Sequence, residues 1–210
     1  LDKTINSLSM VSPFSLEEKH ILLDTKNLEI SQVIITSTSE TYGSAQYLPI
    51  DENHPLVAQS PYAASKIAAD QLAISYFKSY DLPIKILRPF NTYGPRQSLR
   101  AIIPTIILQC LNNKKEIELG NLNPTRDLTF VEDTCQSYID VFNCEDIFGE
   151  TINVGMNEEI SIYKLAEKII KLINTDLEIK ESNNRRRPKK SEVDKLRCCN
   201  NKIVDKTKWQ

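Results

Sequence analysis

The sequence predicts an α/β fold, with a parallel sheet buried between helices. Short β-branched runs recur at Gln32-Val-Ile-Ile-Thr36, Pro83-Ile-Lys-Ile-Leu87 and Thr151-Ile-Asn-Val-Gly155. They are continuous rather than alternating, as in strands covered on both faces. Helical segments fall between them, and alternating strands and helices define the α/β class. The 210 residues, 40% hydrophobic and 26% charged, supply core for one domain or one and a fraction.

Residues 1–20 show no clear pattern, and a helix is expected from His20 to Leu28. Gln32–Thr36 is the first buried strand. The segment 43–61 is rich in Gly, Pro, Asp, Asn and Gln and reads as a loop, with Asp51-Glu52-Asn53 solvated. Ser60-Pro61 is a helix start, Ser as N-cap and Pro at the first helical position. That helix runs from Tyr62 to about Tyr80. Pro83–Leu87 is the second strand and Ile102–Leu111 the next helix. Glu116–Leu119 is a short strand, Asn123–Asp127 a loop, and Leu128–Val131 a strand. A helix follows over Glu132–Phe142, capped by Asp133 or Thr134. Thr151–Gly155 is a further strand. Ser161 opens a helix whose stripe is Ile162, Leu165, Ile169, Leu172 and Ile173. Asp176–Pro188 is polar and basic, and a last helix is expected around Asn201–Lys208.

The 26 basic and 28 acidic side chains give a net charge of −2, which argues against a nucleic-acid binder. No apolar run reaches the roughly 18 residues of a membrane span. The start lacks the basic and apolar regions of a signal peptide, so a cytoplasmic protein is expected. The five Cys show no metal-ligand spacing and fit buried thiols in a reducing compartment. His20 and His54 have no ligand pattern around them, so both are expected at the surface and no metal site is expected.

The stretch Thr36 to Lys66 carries the chemistry. Open α/β sheets bind ligands beyond the carboxyl ends of their strands. Ser37, Thr38, Ser39 and Glu40 stand there, supplying hydroxyls to orient a substrate oxygen and a carboxylate to take a carbon-bound proton. Tyr62 and Lys66, four apart on a helix, share one face with Cβ atoms roughly 5–6 Å apart. An ammonium near a phenol favours the phenolate and lowers its pKa, suiting Tyr62 to take a hydroxyl proton. Alone, such a pair is a surface Lys beside a half-buried Tyr, and the hydroxyls a turn with a solvated Glu.

Four ordered motifs carry a more specific signal: Ser37-Thr-Ser-Glu-x-Tyr-Gly43, Pro61-Tyr-x-x-Ser-Lys66, Arg88-Pro-Phe-Asn-x-Tyr-Gly-Pro-Arg96 and Arg126-Asp-x-x-x-Val-Glu-Asp133. Together they resemble the extended short-chain dehydrogenase/reductases, the NAD-dependent nucleotide-sugar epimerases and dehydratases. Gln59-Ser-Pro-Tyr-Ala-Ala-Ser-Lys66 and Arg88-Pro-Phe-Asn-Thr-Tyr-Gly-Pro-Arg-Gln-Ser98 look most like UDP-N-acetylglucosamine 4,6-dehydratases of the legionaminic-acid type, which serve bacterial surface-sugar synthesis.

The resemblance implies a partial Rossmann-like sheet with helices on both faces and a small C-terminal α/β substrate-binding part. Residues 21–95 would be the end of the NAD-binding part. Residues 96–210 would mainly bind a nucleotide sugar, a UDP-sugar by this likeness, with one strand returning to the sheet. Residues 1–20 stay unassigned. Tyr62 would be the base for oxidation at C4, with Lys66 lowering its pKa and holding the nicotinamide ribose. Thr38 would bind the C4 oxygen, and Glu40 would remove the C5 proton. Ser39 stands where dTDP-glucose dehydratases place an Asp. Ser37 and Pro89 would line the nicotinamide pocket. Asn91, Arg126 and Arg187 would hold the diphosphate, and Arg96 belongs to the same substrate-binding set. A homodimer through the helix of Tyr62 and the next helix is also implied.

The family's usual opening carries GxxGxxG, which the glycines Gly43, Gly94, Gly120, Gly149 and Gly155 do not form. An N-terminally truncated 4,6-dehydratase is therefore expected. A 4-epimerase, a UDP-glucuronate decarboxylase and a non-catalytic remnant are the alternatives.

Overall fold

In the computed structural model, residues 30–112, 115–173, 176–182 and 193–210 are described. The N-terminal segment and the helix expected at His20–Leu28 lie outside them. In chain order the elements are β1 (Val33–Thr36), a 3-10 turn (Ser39–Tyr42), α1 (Pro61–Tyr80), β2 (Ile84–Pro89), β3 (Asn91–Tyr93), α2 (Ile102–Asn112), β4 (Glu116–Leu119), β5 (Thr125–Arg126), β6 (Leu128–Phe130), α3 (Val131–Phe142), β7 (Thr151–Val154), β8 (Ile160–Ser161), α4 (Ile162–Ile173), β9 (Glu178–Glu181) and α5 (Asn201–Lys206).

The three predicted buried strands form one parallel sheet in the order β1-β2-β7. Val33 pairs with Ile84 and Thr36 with Leu87, while Ile86 pairs with Thr151 and Pro89 with Val154. Side chains alternate between faces along a strand, so each apolar run feeds two cores. Val33, Ile35, Ile84 and Ile86 pack with Ala73 of α1 on one side. Ile34, Leu87, Ile152 and Val154 pack with Val141 of α3, Ile203 of α5 and Trp209 on the other. Helices thus cover both faces of a parallel sheet, as predicted.

Two charged side chains lie inside the central strand. Lys85 is fully buried and donates to Gln32 Oε1 (2.8 Å), Val141 O (2.8 Å) and Phe142 O (3.2 Å). It thereby satisfies carbonyls at the C-terminus of α3, where a cation also suits the helix dipole. Burial pushes the Lys85 ammonium below its usual pKa. The other charged side chain is Arg88, whose partner is described with the site.

The start of α1 forms as its sequence dictates. Ser60 Oγ accepts the Ala63 N–H at 3.1 Å, and Pro61 follows at the first position. The helix ends at Asp81 in the left-handed conformation, φ 51°. A further core joins α2, β4 and α4 through Ile106, Cys110, Ile117, Leu119, Leu165 and Ile169.

Several local expectations are corrected. Glu178–Glu181, in the stretch read as merely polar, is strand β9, paired in parallel with β4. Its side chains are largely exposed, so backbone pairing rather than an apolar pattern fixes it. Thr125–Arg126, read as loop, pairs antiparallel with Ile160–Ser161. The N-cap of α3 is Phe130, without a side-chain bond, and Asp133 and Thr134 lie inside the helix. On α4, Leu172 is 77% exposed while Ile170 is buried, because the helix turns its 3.6-residue period toward β4. His54, expected at the surface, is buried. Its Nε2 accepts the Gln46 N–H at 2.9 Å, and its ring meets Tyr42 edge-on at 5.5 Å. Glu52, expected to be solvated, accepts the Asn153 N–H at 2.8 Å, and burial pushes its carboxyl up. Of the five cysteines, Cys110 and Cys198 are buried, whereas Cys135 is exposed. Among the described residues no helix is long and apolar enough to cross a membrane.

The C-terminus is anchored by the single Trp. Trp209 is 2% exposed and its Nε1 donates to Asp133 O at 2.8 Å. Trp209→Ala is expected to cost about 3–5 kcal/mol, read as a lower urea midpoint by circular dichroism, since the variant loses the fluorescent probe.

Candidate active site

The carboxyl end of β1 runs directly into the predicted site. Ser37 N donates to Leu87 O at 2.6 Å, so the strand register holds through Ser37. Thr38 is extended and caps the 3-10 turn, its Oγ1 accepting the Glu40 N–H at 3.3 Å. Within that turn Ser39, Thr41 and Tyr42 are buried, whereas Glu40 is partly exposed. Gly43 closes the turn at φ +64°, and a Cβ there would lie 2.5 Å from Val57 O. Only glycine meets both demands at this corner.

The chain then returns at Ser60 to start α1. Tyr62 is 39% exposed and Lys66 only 5%. The two share one helix face, as their spacing predicts. Lys66 Nζ donates to Thr36 O at 3.1 Å, which ties α1 to the end of β1. Burial pushes the Tyr62 phenol above its usual pKa, the Glu40 carboxylate adds to the rise, and a hydrogen bond with the Thr38 side chain opposes it. The Lys66 ammonium reaches Thr36 O and favours the ionised form of Asp70.

Asp70 is a site residue that sequence reasoning missed. Its Oδ2 accepts Ser37 Oγ at 2.7 Å, Arg88 Nε at 3.0 Å and Arg88 Nη2 at 2.8 Å. Arg88 Nη1 donates to the Tyr42 hydroxyl at 3.0 Å, and that hydroxyl donates to Asn153 Oδ1 at 2.7 Å. Burial pushes the Tyr42 phenol up to about 12, so it is a neutral donor at ordinary pH. The signal available in the sequence was the position of Asp70, four residues after Lys66.

A cavity of about 1010 Å³ opens beside this set. Its wall brings together Glu40 from the turn, Ala63 from α1, Asn91 from β3 and Arg126 from β5. Gln97 and Arg100 stand in the same wall and were not predicted. Asn91 Oδ1 is buried and has no hydrogen-bond partner among the described residues. Arg126 Nη1 donates to Thr125 O at 2.7 Å, which holds the side chain along its own strand. Ser37, Ser39 and Lys66 are buried, Thr38 and Tyr62 stand close in the chain to the lining residues Glu40 and Ala63 without lining the cavity themselves, and Pro89 ends β2. Arg96 is not brought in: it is exposed, at φ +67°, and outside the cavity lining. Arg187 lies outside the described residues. Asp127, next to Arg126, accepts Met156 N–H at 2.8 Å and Cys198 N–H at 2.9 Å and so fixes the floor beneath β5.

Glu40 raises the Tyr62 pKa, so Glu40→Gln is expected to move the Tyr62 titration toward lower pH. Site-specific NMR of labelled tyrosine, wild type against variant, checks the sign, and an unmoved midpoint would contradict the coupling.

Residues 19–210 match the family model described as GDP-mannose 4,6 dehydratase. The chain is 37% identical over 165 residues to dTDP-D-glucose 4,6-dehydratase of Dictyostelium discoideum, covering 73% of this chain and 38% of that protein. The structure resembles dTDP-glucose 4,6-dehydratase of Bacillus anthracis in complex with NAD, with a TM-score of 0.80 and 29% identity over 90% of this chain and 59% of that one. It also resembles UDP-glucuronic acid 4-epimerase of Bacillus cereus in complex with UDP-glucuronic acid and NAD, at a TM-score of 0.84 and 25% identity over 93% and 61% of the two chains. The chain thus spans less than two thirds of the length of these relatives. With its parallel sheet, its Tyr62/Lys66 helix and a match covering nearly all its length, the chain belongs to the GDP-mannose 4,6-dehydratase family, within the extended short-chain dehydrogenase/reductases.

Proposed function

We propose that these residues are the acid–base and sugar-binding part of an NAD-dependent nucleotide-sugar 4,6-dehydratase acting on UDP-N-acetylglucosamine. The observation that carries this reading is the Thr38-capped turn, which presents the Glu40 carboxylate to the cavity beside Tyr62. Epimerisation at C4 has no use for such a base, whereas elimination of water across C5 and C6 requires one. The relatives named as 4,6-dehydratases support the same choice.

The residues present fit the nicotinamide end of NAD. Ser37 and Thr38 follow β1 and Pro89 ends β2, at the carboxyl edge where open α/β sheets bind ligands. Tyr62 and Lys66 would hold the ribose there. NAD, when bound, supplies a hydride acceptor and donor.

The proton steps belong to this chain. Tyr62 takes the proton of the C4 hydroxyl, with Thr38 bonding the same oxygen. Burial holds the phenol protonated near neutral pH, so this step needs a cation close to it, and Lys66 is the cation one turn along the helix. Once C4 is a ketone, the C5–H is acidified and Glu40 removes that proton. The C6–O bond then breaks as the C5=C6 bond forms, and the hydroxyl departs as water with the proton that Glu40 took up. The amide of Asn91 and the guanidinium of Arg126 would hold the sugar nucleotide, since a guanidinium fork matches phosphate oxygens. Arg187 and Arg96 belong to the same proposed substrate set, Arg96 by the family resemblance rather than by a place in the cavity wall. A homodimer through α1 and α2 is part of this reading, supported by Leu108 and Leu111, which are 38% and 67% exposed on α2. Work in the cytoplasm is part of it too, supported by the free cysteines.

Incubation with NAD and UDP-N-acetylglucosamine, followed by NMR, is expected to yield the 4-keto-6-deoxy sugar. Accumulation of the C4 epimer alone would favour the 4-epimerase reading instead, and preference for dTDP-glucose would reassign the substrate. Tyr62→Phe is expected to abolish C4 oxidation, a loss of about 10²–10⁴-fold. Glu40→Gln is expected to keep hydride exchange and block dehydration; equal loss of both steps would sink the division of roles.

A further inference from the structure

The acid–base row extends one helical turn beyond Lys66. Tyr62, Lys66 and Asp70 stand at i, i+4 and i+8 and therefore along one face of α1. Asp70 is fully buried, and three donors from Ser37 and Arg88 converge on its Oδ2. Through Arg88, Tyr42 and Asn153 the same chain of hydrogen bonds crosses β2, the 3-10 turn and β7.

Each element that carries an acid–base residue is tied to this chain. Ser37 adjoins Thr38, Asp70 shares α1 with Tyr62 and Lys66, and Tyr42 ends the turn that presents Glu40. Asp70, Arg88, Tyr42 and Asn153 are buried and bonded to one another, so none is offered to a sugar nucleotide. A pair kept for stability alone would be dispensable, because a buried ion pair is often replaced by apolar residues without loss.

We propose that Asp70 and Arg88 are positioning residues, holding Thr38, Glu40, Tyr62 and Lys66 in mutual register without contacting the substrate. The link to catalysis rests on the acid–base reading above, and the positioning itself is measurable without activity.

The test uses wild type, Asp70→Asn, and a double variant, Asp70→Leu with Arg88→Met, that removes both charges together. A limiting acetic anhydride pulse labels lysines, and peptide mass spectrometry reads Lys66 against Lys85. Both lysines are buried, but Lys85 sits at the α3 terminus, away from the pair. The expected result is a several-fold rise at Lys66 with Lys85 unchanged in both variants. With it, kcat falls by about 10²-fold while KM for the sugar nucleotide holds, since misplacing a reacting group by 1 Å costs this much. An equal rise at both lysines means general loosening and overturns the proposal. So does unchanged Lys66 labelling, or a double variant that keeps wild-type kcat. Selective Lys66 labelling in a protein whose wild type does not dehydrate would support the positioning and refute the dehydratase reading alone.

Discussion

The buried pairing of Asp70 with Arg88 is the constraint on which the site depends. Taking a carboxylate and a guanidinium out of water is costly, and only good geometry with further hydrogen bonds offsets it. Here two guanidinium nitrogens and the Ser37 hydroxyl converge on one carboxylate oxygen, the pattern of charge-assisted bonding. Burial still pushes the Asp70 carboxyl upward against the pull of Arg88. Oδ1 of Asp70 is buried with no partner among the described residues, so satisfaction of the carboxylate is one-sided. Such a pair locks helix to strand, because shifting either element strands a charge in the core.

The sheet makes that pairing possible. Ile84, Ile86 and Leu87 pin β2 between two cores, and Arg88 continues the same strand beyond them. The alternation that sends Ile86 toward α1 and Leu87 toward α3 sends Arg88 to the α1 side, where Asp70 waits. Lys85, on the opposite face, finds the carbonyl end of α3 instead. Two charges in one buried strand are thus each answered by a helix, one by a side chain and one by a terminus.

The electrostatics of Tyr62 depend on more than its spacing from Lys66. Four residues on a helix bring Lys66 onto the same face as Tyr62. The side chain is drawn inward to Thr36 O, where it stitches α1 to the end of β1. Glu40, nearer in effect, raises the Tyr62 pKa rather than lowering it. The site is therefore a balance among burial, a carboxylate and a cation that also bonds the end of β1.

Much of this was legible in the residues. The buried runs gave the three parallel strands, Ser60-Pro61 gave the start of α1, and Thr36–Lys66 gave the turn, the carboxylate and the Tyr/Lys row, because these depend on local periodicity and capping. β9 was invisible since its pairing with β4 is made by backbone, and His54 and Glu52 were misplaced since a polar loop folds them under Tyr42 and against Asn153. Arg96 read as part of the substrate set, yet a left-handed turn leaves it exposed, while Gln97 and Arg100 reach the cavity. Sequence by itself determined which residues could do chemistry and the elements that carry them. Only the tertiary structure decided which charges meet, because partners such as Asp70 and Arg88 lie far apart in the chain and are matched by strand register and burial.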